Sequence, residues 1–332
     1  MNHRHPRRFA LRALLATISC AAAVVATPTA LAQQNYPTKP VRMVVPYPPG
    51  GATDVIGRLI ADKLGAQWGQ AVVVDNRAGA GTTVGAENVA KSAPDGYTLY
   101  ETTATHTISA SLYPKLSYDP IKDFTPITLT ATIPLVLVTT PKIPARTVDE
   151  LVKWIKAQPG GASMGSPGNG SVQHLTGELF KTRVGVNTVH VPYKGAAPMI
   201  TDLLGGQVDM AFATLSEVTS YIKSGRLHAI ALAHDKRMSA VPDLPTFGEQ
   251  GMKGFTGATW FGTFAPARLP PELRDRIYKD IAAIVATPEV TKKLEDMGAE
   301  VNNLAPAEFS RLIDAEARRW AEAVKLSGAR IE

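Results

Sequence analysis

The chain has 332 residues, is 45% hydrophobic and 19% charged, and carries a formal charge of +6 with a single cysteine. One cysteine excludes an internal disulfide. The positive charge is concentrated in Arg4, Arg7, Arg8 and Arg12; without the first 32 residues, which hold those four arginines and no acid, it falls to +2, and the case for a nucleic-acid partner falls with it.

In chain order, the four arginines are followed by a mostly apolar run, Ala13 to Ala26, and then by Ala30-Leu-Ala32, an A-x-A cleavage pattern. This predicts an export signal, residues 1–32, removed to leave a periplasmic protein. Arg7-Arg8 fits the twin-arginine route, but Ala10 lacks the bulk that motif needs, so the general secretory route stays open. Cys20 fits a lipoprotein anchor poorly, because Thr17 replaces the expected Leu and the apolar run continues past it. No later run reaches 18 apolar residues, so no membrane span is expected. About 300 remaining residues exceed what one core usually covers, and two domains are expected.

Val41–Val45 reads as a buried strand and Thr53–Trp68 as a helix with Val55, Ile56, Leu59, Ile60, Lys63 and Leu64 along one stripe. Between them lies the turn Tyr47-Pro-Pro-Gly-Gly-Ala-Thr-Asp54. Val72–Val74 is a second strand, followed by Asn76-Arg-Ala-Gly-Ala-Gly81 and a helix to Ser92; Tyr97–Glu101 is a third strand. This β-α-β-α-β order predicts a parallel sheet. Phe124–Thr140 is a β-branched stretch long enough to leave one lobe and enter another. The plan then repeats. A helix at Val148–Ala157, a strand at Ala162–Gly165 and the turn Gly165-Ser-Pro-Gly-Asn-Gly-Ser171 precede a helix to Lys181; strands at Val186–Val191, Val208–Ala213 and Leu227–Ala233 follow. Trp260–Phe264 reads as extended, and the rest as helices that return to cover the first lobe. There is no tandem repeat.

Both glycine-rich turns open a helix, where free N–H groups and partial positive charge attract anions. Neither contains Lys or Arg, so the grip predicted on a shared anion is mainly main-chain. The candidate ligand-binding set is Tyr47, Pro48, Gly50, Gly51, Thr53 and Asp54 from the first turn and Ser166, Gly168, Asn169, Gly170, Ser171 and His174 from the second. Thr103, Thr105 and His106 join it because they follow the third strand, where parallel sheets place ligands; Tyr193 and Asp209 complete it. Each also has a structural reading. Thr53, Asp54, Ser166 and Ser171 suit helix capping, His174 suits packing, Asp209 suits a strand-to-loop hydrogen bond, and Arg77 and Lys194 suit the surface.

Taken as an ordered set, Tyr36-Pro, Val45-Pro-Tyr-Pro-Pro-Gly-Gly-Ala-Thr-Asp54, Asn76-Arg-Ala-Gly-Ala-Gly81, Asp95-Gly-Tyr-Thr-Leu99, Gly165-Ser-Pro-Gly-Asn-Gly-Ser171, Val191-Pro-Tyr-Lys-Gly195 and Gly206-Gln-Val-Asp-Met-Ala-Phe212 resembles the Bug family. These are extracytoplasmic solute receptors of tripartite tricarboxylate transporters, and the likeness spans the expected mature chain. It implies an α/β, two-lobed, type II periplasmic-binding-protein fold, each lobe a mainly parallel sheet flanked by helices. It also implies a small carboxylate ligand held in the cleft, membrane permease subunits as partners, and a monomer. The expected division is 33–137 plus 261–332 for one lobe and 138–260 for the other. One departure concerns the cleft wall: Ala213-Thr214 stand where relatives often carry Asp-Asn.

Enzyme readings fare worse. Gly161-Ala-Ser163-Met-Gly165 matches G-x-S-x-G, but the turn follows later than a nucleophile elbow requires. Gly79, Gly81 and Gly85 miss dinucleotide spacing. His106, His174, His190, His228 and His234 are scattered without metal-ligand spacing. No catalytic residue, cofactor or metal is therefore expected; an exported hydrolase through Ser163, or a partner of a signalling receptor, are the alternatives.

Overall fold

The computed structural model describes residues 36–113 and 115–327; the predicted export signal and its cleavage site lie outside them. The strands are β1 (Val41–Val45), β2 (Val72–Asn76), β3 (Thr98–Thr103), β4 (Phe124–Thr139), β5 (Ala162–Ser166), β6 (Thr188–Pro192), β7 (Met210–Thr214), β8 (His228–Ala233), β9 (Ala258–Pro266) and β10 (Glu300–Leu304). The helices are α1 (Ala52–Trp68), α2 (Thr83–Ala90), α3 (Thr105–Leu112), α4 (Val148–Lys156), α5 (Val172–Val184), α6 (Ala196–Gly205), α7 (Leu215–Lys223), α8 (Pro271–Val285), α9 (Pro288–Asp296) and α10 (Pro306–Ser327).

β1 is Val-Arg-Met-Val-Val, a β-branched run that suits a strand covered on both faces. It pairs in parallel with β2 on one side and β3 on the other. α1 then crosses back over the sheet with Ile56, Ile60 and Leu64 buried, and stops at Gly69 in the left-handed conformation. Val55, expected on the buried stripe, is 43% exposed instead. In the second lobe β5 pairs in parallel with β6 and β7. The sheets are nevertheless mixed. β4 and β9 run antiparallel to their neighbours, and β8 and β10 pair antiparallel with β4. The physical reason is connectivity: strands that carry the chain from one lobe to the other arrive from the opposite end and must run against the βαβ strands.

β4 changes partners midway. Phe124 to Pro134 lie against β9, whereas Leu135 to Thr139 lie between β7 and β8. The 16-residue length was thus correctly read as a passage between lobes. Two expectations for the C-terminal part need correction. Glu-Val-Asn-Asn-Leu at 300–304 is an edge strand on β4, missed because it has no apolar run. The last helix does not cover the first lobe alone: α10 packs on both α3 and α5. It buries Phe309, Ile313 and Trp320 in one core that also holds Tyr100 and Phe264 of the first lobe and Phe180 and Phe212 of the second. Trp320 Nε1 donates to Glu316 Oε2 at 2.6 Å, and Arg319 Nη2 donates to Thr256 O at 2.8 Å. Among the described residues no helix is long and apolar enough to cross a membrane.

Candidate functional site

The first turn connects β1 to α1. The N-cap of α1 is Gly51, not Thr53 or Asp54, and no side chain caps the helix. The N–H groups of Gly51, Ala52, Thr53 and Asp54 consequently find no acceptor among the described residues, the first intrahelical bond being Val55 N–H to Gly51 O at 3.0 Å. Pro48, Gly50 and Gly51 are exposed and Ala52 is half-buried, whereas Thr53 and Asp54 are buried, so the donors open to solvent at the Gly51 end.

Asp54 sets the shape of that turn. It is 3% exposed. Its Oδ2 accepts from Gly50 N–H at 2.9 Å and from Arg58 Nε at 3.0 Å, and its Oδ1 accepts from Asn76 Nδ2 at 2.8 Å. Burial opposes the charge, but the bonds from Arg58, Gly50 and Asn76 outweigh it and hold the carboxyl below its ordinary range. Asn76 also donates to Tyr47 O at 3.0 Å. The sequence reading quoted Asn76 only as part of a motif; its place at the carboxyl end of β2, beside the end of β1, was the available signal. Tyr47 Oη and Thr103 Oγ1 lie 2.7 Å apart, and Thr103 Oγ1 is 3.4 Å from Thr105 Oγ1, so three hydroxyls line the same edge. α2 approaches this turn closely: a Cβ on Gly85 would stand 2.9 Å from Pro46 Cβ, so only glycine fits there.

Asp54→Ala should destabilise the fold by about 1 kcal/mol, because it removes a buried acceptor that the half-buried Asn76 and the Gly50 N–H share. Denaturant titration checks this, and an unchanged midpoint would contradict the role.

The second turn connects β5 to α5 and is built differently. Ser171 is the N-cap and accepts from His174 N–H at 3.2 Å. Gly170 N–H donates to His174 Nδ1 at 3.0 Å, and Gly168 N–H donates to Ser166 Oγ at 3.2 Å. Two glycine N–H groups expected to face a ligand are therefore engaged within the turn. Those of Asn169, Val172 and Gln173 find no acceptor among the described residues. Ser166 Oγ lies 2.6 Å from His190 Nε2, and the His174 and His190 rings stack with centroids 3.7 Å apart. Burial pushes both imidazoles down to about 4, so both are neutral at neutral pH. His190 was missed by the sequence reading; it lies on β6 opposite Met164, one position from the turn.

The remaining candidates divide. Tyr193 N–H donates to Ser166 O at 2.9 Å, which brings it to the second turn, while its hydroxyl donates to Asp202 at 2.8 Å. Burial and the Asp202 carboxylate push that hydroxyl up to about 12. Asp209 is turned away: its Oδ2 accepts from Ser163 N–H and Ser163 Oγ, both at 2.7 Å, tying β5 to the start of β7. His106 is not at the edge but in the core, fully buried against the rings of Tyr100, Phe124 and Phe264. A residue directly after a sheet-edge threonine was pulled inward because α3 turns back onto the sheet at that point. Arg77 is exposed and bound to Asp75 at 2.7 Å, and Lys194 is exposed. Among the described residues no group of three or more His, Cys, Asp and Glu could hold a metal.

The second turn comes close to the end of α3. A Cβ built on Gly170 would lie 1.9 Å from Leu112 Cδ1 of α3. One glycine-rich turn thus leaves its helix start uncapped, and the other is backed by two stacked histidines.

Comparison with known proteins identifies the family. Residues 56–328 match the family model described as the tripartite tricarboxylate transporter family receptor. Protein BugT of Bordetella pertussis is 36% identical over 96% of this chain and 98% of its own length. The periplasmic binding protein BugD superposes with a TM-score of 0.80 at 35% identity, covering 90% of this chain and all (100%) of BugD. An R. palustris protein solved with adipate gives 0.83 at 36% identity, covering 89% of this chain and 100% of its own. The α/β architecture is that of these two-lobed binding proteins, and the chain belongs to the tripartite tricarboxylate transporter receptor family.

Proposed function

We propose that this protein captures a small carboxylate in the periplasm by closing its two lobes, and hands it to the permease subunits of a tripartite transporter. The observation that carries the reading is the uncapped start of α1, four N–H groups without an acceptor among the described residues, beside which the one nearby cation, Arg58, is bound to Asp54. The R. palustris relative with adipate supports a carboxylate as the guest. In this reading the lobes are 33–137 with 261–332, and 138–260, a division that follows the partner change within β4 to a few residues. Closure is favoured when one carboxylate takes donors from both turns, because the closed state then gains bonds the open state lacks. The ligand-binding set is Tyr47, Pro48, Gly50, Gly51, Thr53, Thr103 and Thr105 with Ser166, Gly168, Asn169, Gly170, Ser171, His174 and Tyr193. Asp54 and Asp209 hold their turns, and His106 is left out. The protein acts as a monomer and performs no chemistry.

The hydrolase alternative is weakened by Ser163, which lies within β5 and is bonded to Asp209 rather than to a histidine. A thermal-shift screen of small carboxylic acids tests the proposal. At a hundredfold excess over its dissociation constant, a true ligand stabilises by about 2.7 kcal/mol. Ser163→Ala should bind that ligand and, like the wild type, hydrolyse no ester; an esterase rate abolished by the substitution would overturn the reading.

A further inference from the structure

The edge that carries the second turn holds another polar feature. β7 runs parallel to β5, with Met164 opposite Met210 and Gly165 opposite Ala211, so both strands end on the same side. Thr214 closes β7 opposite Leu135, where β4 enters the second lobe. Gln173, in the first turn of α5, donates from Nε2 to Thr214 Oγ1 at 3.1 Å. Thr214 is the N-cap of α7, and Glu217 is the third residue of that helix. The Gln173–Thr214 bond thus ties the helix that follows the second turn to the start of the helix that carries Glu217.

Thr214-Leu-Ser-Glu217 has capping-box spacing, yet no side chain caps α7. Glu217 Oε2 is buried with no hydrogen-bond partner among the described residues, and so is the neighbouring Ser216 Oγ. No Lys or Arg pairs with Glu217 among the described residues. Burial raises its pKa, which marks the cost of keeping a charge there. A capping role does not require that oxygen to be shut away without a donor, and an unsatisfied buried acceptor is destabilising. An N–H group brought by a ligand would satisfy it.

We propose that Glu217 is a specificity residue, selecting carboxylates that also carry an amino or similar N–H donor, which it receives while the turns hold the carboxylate. The inference rests on the carboxylate-capture reading. A second carboxylate in that position would be repelled by Glu217, whereas an ammonium forms a charge-assisted bond.

The test is calorimetric titration with pairs differing only by an amino group: succinate against aspartate, glutarate against glutamate, and butyrate against 4-aminobutyrate. In the wild type the amino member of at least one pair should bind at least tenfold more tightly, about 1.4 kcal/mol. Glu217→Gln preserves the capping-box pattern and should keep the thermal midpoint while reducing that preference to less than threefold. Equal or weaker binding of every amino member by the wild type, or an undiminished preference in Glu217→Gln, would overturn this inference alone. If none of the six compounds bound and the wider acid screen also failed, the capture reading would fall with it.

Discussion

Gly170→Val is expected to weaken carboxylate binding by well over tenfold and to lower stability, the largest effect of any single change at the site. Residue 170 has φ +72°, a region that costs a β-branched side chain roughly 1–3 kcal/mol. The first carbon of that side chain would also fall 1.9 Å from Leu112 Cδ1. Leu112 is buried at the end of α3, so relief of this clash requires its side chain to shift within packed surroundings. Gly51→Val should act differently. Gly51 has ordinary extended angles (φ −78°, ψ 167°) and nothing within 4 Å of a built Cβ. The fold should tolerate valine there while the uncapped N–H groups of α1 lose access to ligand, so affinity should drop about tenfold with little change in melting temperature. Arg77→Ala and Lys194→Ala should each cost less than threefold. Titrating the four variants with any acid found in the thermal screen decides the order. Normal binding by both glycine variants alongside abolished binding in Arg77→Ala or Lys194→Ala would reject the main-chain model. Adding Leu112→Ala to Gly170→Val should recover part of the loss, the part due to the clash.

Stability should peak near pH 6–6.5 and fall on both sides. Burial pushes His106, His174 and His190 down to about 4 in the folded protein, against an ordinary value near 6.5. Between those values the unfolded chain binds more protons, so stability is lost as pH falls through this window. The full shift corresponds to about 3 kcal/mol for each of the two buried rings, His106 and His174, and less for the half-buried His190. Glu101 works in the opposite sense. It is fully buried, its Oε2 accepts from Thr263 at 2.6 Å, and desolvation raises it to about 8. Its contribution is complete below its unfolded value near 4.5 and is lost as pH rises from there through 8. The histidines outweigh it on the acid side, while above pH 6.5 only Glu101 titrates among these four, giving a decline of about 2 kcal/mol by pH 8. Melting temperatures from pH 4.5 to 8.5 test this. Glu101→Gln should flatten the alkaline limb and leave the acid limb in place. A curve flat from pH 4.5 to 6.5 would contradict the buried neutral histidines. Since His174 receives the Gly170 N–H, its protonation in the folded protein near pH 4 should release the second turn and weaken ligand binding there, below the range in which stability declines.

Much of this was legible in the sequence because it depends on local chemistry. Val41–Val45 and Phe124–Thr139 are β-branched runs whose strand state follows from their composition, and the glycine-rich segments at 47–54 and 165–171 must be turns. The ordered motifs gave the family. What local chemistry could not specify was which hydrogen-bond donors remain available after folding. Both turns have the same look in sequence, yet one leaves its helix uncapped while the other engages Gly168 and Gly170 with Ser166 and His174. That difference arises from side chains one helical turn away and from His190 on a neighbouring strand. His106 entered the core, and β10 formed from a polar segment, for the same reason. A residue's environment depends on what packs over it, and α3, β4 and α10 are brought together from positions about two hundred residues apart. The sequence by itself determined most of the elements, though not α3, α7 or β10, together with the turns and the family. The tertiary structure decided which polar groups of the two turns remain open to an incoming carboxylate.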